Sequence, residues 1–137
     1  MVMADKPRIL VVDDEPLIVK LLAKHLEEDG FTVLTAMDGY EALTKARAES
    51  PDLILLDIIL PKLNGYEVCT MLKQDTRHQK TPIVMLTAKA QEKDERLGKD
   101  CGADVYLRKP LRIQPLLEQI RTLLGATPNP ADPQAHP

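Results

Sequence analysis

Five side chains in this 137-residue sequence have types that could share one piece of chemistry: Asp13, Asp14, Asp57, Thr87 and Lys109. Three carboxylates in one pocket repel; two like charges about 4 Å apart cost roughly 4 kcal/mol at an effective dielectric of 20. Such a cluster either raises a pKa or binds a cation. Carboxylate oxygens suit a hard divalent ion, and Mg²⁺ takes one or two of them together with waters and phosphate oxygens. A lysine adds a fixed positive charge for phosphate, and a threonine adds a short hydroxyl donor. A carboxylate nucleophile, a metal, an ammonium and a hydroxyl are the parts that accept a phosphoryl group and stabilise its oxygens. The sequence has no G-x-x-x-x-G-K-[ST] loop, so the phosphoryl group is expected from a partner and not from a nucleotide held by the chain.

Whether these residues meet depends on the elements that carry them. Leu53-Ile54-Leu55-Leu56 is an apolar run without alternation, the mark of a strand buried on both faces of a parallel sheet, and it ends in Asp57. Taken alone, Asp57 reads as a turn-starting aspartate. Arg8 to Val12 is a similar run ending in Asp13-Asp14; Pro82 to Leu86 ends in Thr87; Asp104 to Arg108 ends in Lys109-Pro110. Phe31 to Ala36 is the remaining strand. Between them lie helical patterns: Pro16 to Gly30 with Ile18, Leu21, Leu22 and Leu26; a helix capped at Asp38; one starting at Asn64 or Gly65 and running to about Gln74; the charged stretch Gln91 to Cys101; and a last helix marked by Ile113 to Leu124. Strands alternating with helices predict an α/β fold, a doubly wound five-stranded parallel sheet. The flavodoxin-like strand order 2-1-3-4-5 puts the first strand beside the third at the switch point. Asp13, Asp14, Asp57, Thr87 and Lys109 then gather at one end of the sheet.

Composition bounds the function. The length fits one domain, and a net charge of -3 argues against nucleic-acid binding through overall charge. No apolar run is long enough for a membrane span and no signal peptide is evident, so a cytoplasmic location is expected. The aromatics are Phe31, Tyr40, Tyr66 and Tyr106, so the core must be aliphatic. Cys69 and Cys101 show no metal-ligand spacing and read as reduced core thiols. His25 and His78 read as surface residues. Residues 126–137 hold prolines and no large apolar group, which predicts a disordered tail or linker stub after a domain over residues 1–125.

The ordered set of motifs resembles the receiver domain of two-component response regulators, the CheY-like family, over roughly residues 7 to 124. It is carried by Asp13-Asp14 after Ile9-Leu10-Val11-Val12, by Leu56-Asp57 with Pro61 and Gly65 downstream, by Thr87-Ala88, by Gly102-Ala103-Asp104 and by Tyr106-Leu107-Arg108-Lys109-Pro110. The resemblance implies that Asp57 is the phosphoacceptor, supplied by a histidine kinase or histidine phosphotransfer protein. It implies Mg²⁺, with Mn²⁺ as a substitute, on Asp14, Asp57 and the backbone carbonyl of Ile59, with Asp13 acting through water. Lys109 would pair with Asp57 and then with the phosphoryl group, and Thr87 would move to hydrogen-bond a phosphoryl oxygen. Tyr106 would turn inward with Thr87, altering the face made by the fourth helix, fifth strand and fifth helix. That face would meet a downstream protein or a fused output domain, and allows a homodimer. A cis Lys109-Pro110 bond is expected, as in similar domains. The module is not an enzyme in the turnover sense and takes part in its own phosphorylation.

Plainer readings stand beside these. Asp13 and Asp14 could cap the first helix, Thr87 could cap the helix beyond it, Lys109 could neutralise acids, and Tyr106 could be a core tyrosine. A receiver-like interaction domain that is never phosphorylated is the alternative function. A flavin-carrying electron carrier shares the fold class but is disfavoured by the scarce aromatics and the acidic pocket. Ile59 and Lys89 flank the site; a branched apolar chain at position 59 should obstruct water and slow dephosphorylation.

Overall fold

The computed structural model describes residues 6–87 and 101–125. The predicted helix Gln91–Cys101, apart from Cys101 itself, and residues 126–137 lie outside that range, as does Lys89. The elements are β1 (Arg8–Val12), α1 (Pro16–Glu28), β2 (Thr32–Ala36), α2 (Gly39–Glu49), β3 (Leu53–Asp57), α3 (Gly65–Gln74), β4 (Ile83–Thr87), β5 (Val105–Arg108) and a last helix, here α4 (Ile113–Leu123). The strands form one parallel sheet in the order β2-β1-β3-β4-β5, as the sequence predicts.

Successive side chains of a strand point to opposite faces, and both faces here are apolar. Leu10, Val12, Ile54, Leu56, Ile83 and Met85 pack beneath Ala42, Leu43, Ala46, Val68, Cys69 and Leu72 of α2 and α3. Ile9, Val11, Leu53, Leu55, Val84 and Leu86 meet Leu22 and Leu26 of α1 and Leu116, Leu117 and Ile120 of α4 on the other side. Burial of both faces explains why β1, β3 and β4 show no polar alternation. No helix among the described residues is long and apolar enough to cross a membrane.

Local chemistry sets the helix starts. Asp38 accepts the Glu41 amide at 2.8 Å, and Asn64 and Glu67 form a reciprocal capping box at α3. At α1 neither Asp13 nor Asp14 is the N-cap residue. The N-cap is Glu15, which makes no side-chain cap bond, and Asp13 accepts the Glu15 amide at 3.0 Å. The far end of the sheet is tied by Lys73, whose Nζ donates to the Thr81 carbonyl at 2.7 Å and to Asp104 at 3.2 Å. Asp104 also takes the Ile83 amide at 2.8 Å, joining the starts of β4 and β5.

His78 departs from its expected surface position. It is 1 % exposed and its Nε2 has no hydrogen-bond partner among the described residues. The polar composition of residues 75–81 suggests solvent; instead the turn folds the imidazole inward, with the His78 amide donating to the Asp75 carbonyl at 2.8 Å.

Candidate functional site

The strands deliver their polar ends to one edge, as the topology requires. Asp13 follows β1, and its amide continues the β1–β2 ladder by donating to Ala36 at 3.2 Å. Asp57 closes β3, and the next amide, Ile58, donates to Leu86 of β4 at 3.2 Å. Thr87 closes β4; its carbonyl accepts the Lys109 amide at 2.8 Å, which fixes the lysine beside it.

One carboxylate oxygen from each of Asp13, Asp14 and Asp57 lies within 4.8 Å of the others. Asp13 is fully buried, Asp57 is 6 % exposed, and Asp14 faces solvent. Lys109 Nζ reaches Asp13 at 3.0 Å and Asp57 at 3.2 Å. Burial and the Asp13 charge raise the Asp57 carboxyl to about 6, against the pull of Lys109. Burial alone would lower Lys109, but its hydrogen bond to Asp13 and the charge of Asp57 prevail and raise it. Thr87 is buried at the same edge.

Three crowded carboxylates, two of them bridged by the Lys109 ammonium, form a donor set suited to a hard dication. The fit is supported by Asp57 itself, held partly unwilling to ionise by burial and then by the charge of Asp13.

The loop after Asp57 is wedged by two glycines. A Cβ on Gly65 would lie 2.4 Å from the Asp57 carbonyl oxygen, and one on Gly39 would lie 2.4 Å from that of Leu63. The Gly65 amide donates to Ile58 at 2.7 Å, so α3 starts directly against the backbone of the acid. Ile59 sits in this loop with its side chain 57 % exposed.

Tyr106 packs against the α2/α3-face core, and its buried hydroxyl lies beside the Cys101 thiol. Burial and the nearby Cys101 thiol push the phenol up. The ring thus occupies the inward side of β5. The Lys109-Pro110 peptide is cis, as expected.

Residues 9–121 match the response regulator receiver domain family. The chain belongs to that family. Over 117 residues this receiver domain is 50 % identical to the alkaline phosphatase synthesis transcriptional regulatory protein PhoP of Bacillus subtilis, covering 85 % of the chain and 48 % of that protein. It is 44 % identical over 121 residues to the DNA-binding dual master transcriptional regulator RpaA of Synechocystis, covering 88 % and 50 %. The chain spans about half the length of these curated relatives. The chemotaxis response regulator CheY4 of Vibrio cholerae superposes with a TM-score of 0.81 at 32 % identity, covering 86 % of this chain and 98 % of that one. A CheY-like receiver domain of Methanospirillum hungatei gives 0.83 at 32 % identity, covering 88 % and 94 %.

Sequence reasoning places Asp13, Asp14, Asp57, Thr87 and Lys109 together, and the receiver domain brings them together. It misses the Lys109–Asp13 pair. It also misses a cleft of 480 Å³ beside the site, lined by Ile18, Leu21, Leu22, Lys109, Pro110, Leu111 and Ile113. The available signal was Leu17 and Leu21, which stay exposed on α1.

Proposed function

We propose that this receiver domain is the phosphoacceptor of a two-component phosphorelay. A carboxylate oxygen of Asp57 attacks the phosphorus of a phosphohistidine; the P–N bond breaks and the imidazole leaves with the electron pair. Asp13, Asp14 and Asp57, with the backbone carbonyl of Ile59, would hold Mg²⁺, and Mn²⁺ would serve in its place. Bound there, the ion would offset charge on the phosphoryl oxygens. Lys109, already 3.2 Å from Asp57, would pair with one phosphoryl oxygen, and the Thr87 hydroxyl would donate to another. Tyr106 shares the register of β4 and β5 with Met85, two residues before Thr87, so a shift of Thr87 bears on its seat.

The observation that carries this reading is the set of three carboxylates within 4.8 Å with Lys109 bridging two of them. The apolar cleft next to Lys109 supports a protein donor, a histidine kinase or histidine phosphotransfer protein, because a small phosphodonor would not need it. The relatives' names support a transcriptional output, controlled through a face that includes β5 and α4. Incubation with acetyl phosphate and Mg²⁺ should add the mass of one phosphoryl group to the intact chain, and Asp57→Asn should abolish it. A chain that never gains mass is instead the unphosphorylated interaction domain.

A further inference from the structure

The two cysteines of the chain lie 32 positions apart and meet in the core. The Cys69 thiol, on α3, donates to the Cys101 carbonyl at 3.4 Å. Both belong to the α2/α3-face cluster, and no disulfide joins them. Small thiols in a core usually act as packing groups. This pair differs because the Cys69 thiol lies against Cys101 at a junction between elements. Cys69 is fixed in α3, while Cys101 lies a few residues before β5, whose Tyr106 hydroxyl is buried beside the Cys101 thiol.

We propose that Cys69 and Cys101 form a reversible disulfide that ties α3 to the segment entering β5, beside the seat of Tyr106. Peroxide is the oxidant. The Cys101 thiolate attacks one oxygen of hydrogen peroxide, the O–O bond breaks, hydroxide leaves and takes up a proton, and a sulfenic acid remains on Cys101. Cys69 sulfur then attacks that sulfur; the S–O bond breaks, water leaves with the Cys69 proton, and the S–S bond forms. Two thiols and one peroxide thus give one disulfide and two waters. Cys101 is the attacking group because it is the more exposed, 6 % against 0 %. The neighbouring Cys69 thiol also draws Cys101 down to about 7, while that same proximity and burial push Cys69 up.

The test treats the reduced full chain with hydrogen peroxide, blocks remaining thiols with iodoacetamide and maps the peptides by mass spectrometry. The expected result is loss of two hydrogens in mass, loss of both alkylation sites, a Cys69–Cys101 peptide, and full reversal by dithiothreitol. The oxidised chain should also unfold at a higher urea concentration than the reduced one. Cys69→Ala should leave Cys101 as a sulfenic or over-oxidised acid, and Cys101→Ala should leave Cys69 unmodified. Two alkylatable thiols after treatment, a cross-link between chains, or a lower unfolding midpoint on oxidation would each overturn the proposal. None of these readouts depends on Asp57 accepting phosphate.

Discussion

Asp13 and Lys109 stand 96 positions apart in sequence, and their side chains meet at 3.0 Å with the carboxylate fully buried. The bond closes the sheet's active edge from the first strand to the loop after the last. Removing one partner of a buried pair leaves an uncompensated charge. Lys109→Ala should therefore destabilise the metal-free chain by about 2–4 kcal/mol. Urea unfolding followed by circular dichroism measures this, and added Mg²⁺ should restore part of the loss. An unchanged midpoint would mean that Asp13 needs no counter-charge.

Asp57 gives the opposite sign. Its folded pKa of about 6 lies above the ordinary 3.8, so the folded chain holds this proton more tightly than the unfolded one. The associated stability is full below pH about 4 and is lost as pH rises through about 6. Asp57→Asn keeps the shape and removes the charge. In EDTA it should stabilise the chain by about 1–3 kcal/mol at pH 7.5 and have little effect at pH 4. Equal effects at both pH values would refute the account.

The fold class, the strand order and the gathering of the acids were legible because both sheet faces are buried. Each apolar run therefore ends abruptly in the residue it presents, as Leu56-Asp57 and Leu86-Thr87 show. Side-chain reach was not legible. That Lys109 would hold Asp13 as well as Asp57, and that Cys69 would meet Cys101, depend on angles that no local pattern records. His78 misleads because its neighbours are polar, while its burial comes from the turn that folds it inward. Gly65 is visible in the sequence only as part of a motif; its physical reason is the Asp57 carbonyl pressed against it.

That contact makes Gly65→Ala informative. A methyl 2.4 Å from the Asp57 oxygen must push α3 or the β3 end aside. The expected cost is about 1–3 kcal/mol, with weaker Mg²⁺ binding. The chain has no tryptophan, so titration calorimetry is the suitable readout for the metal. Native Mg²⁺ affinity in the variant would show that the loop gives way without moving the acid.

His78 predicts a second pH effect at the opposite end of the sheet. Burial lowers its folded pKa, with Arg77 and Arg47 adding to this against Asp75. The neutral form is favoured in the fold, so its stability is full above pH about 6.5 and is lost as pH falls through the lowered folded value. Measured in the Asp57→Asn background, the slope of unfolding free energy between pH 7.5 and pH 5 should flatten on His78→Leu. Parallel slopes would assign the acid sensitivity to other groups.

Ile59 stands exposed in the loop that follows Asp57. If its branched chain shields the acyl phosphate from water, Ile59→Asn should shorten the half-life of the phosphorylated chain roughly threefold or more, a barrier change below about 1.4 kcal/mol at threefold. Decay of the labelled protein in EDTA-quenched time points gives the rate, and an unchanged half-life would discard the shielding role.

The buried pairing of Lys109 with two acids also fixes what the pocket can tolerate. Three ionised carboxylates against one ammonium leave an excess of two negative charges among the described residues. A dication restores electroneutrality there, whereas a monovalent ion does not. On the proposed function, phosphorylating Asp57 would replace one negative charge by two, and the added charge would fall to Lys109 and to a neighbouring donor such as Thr87.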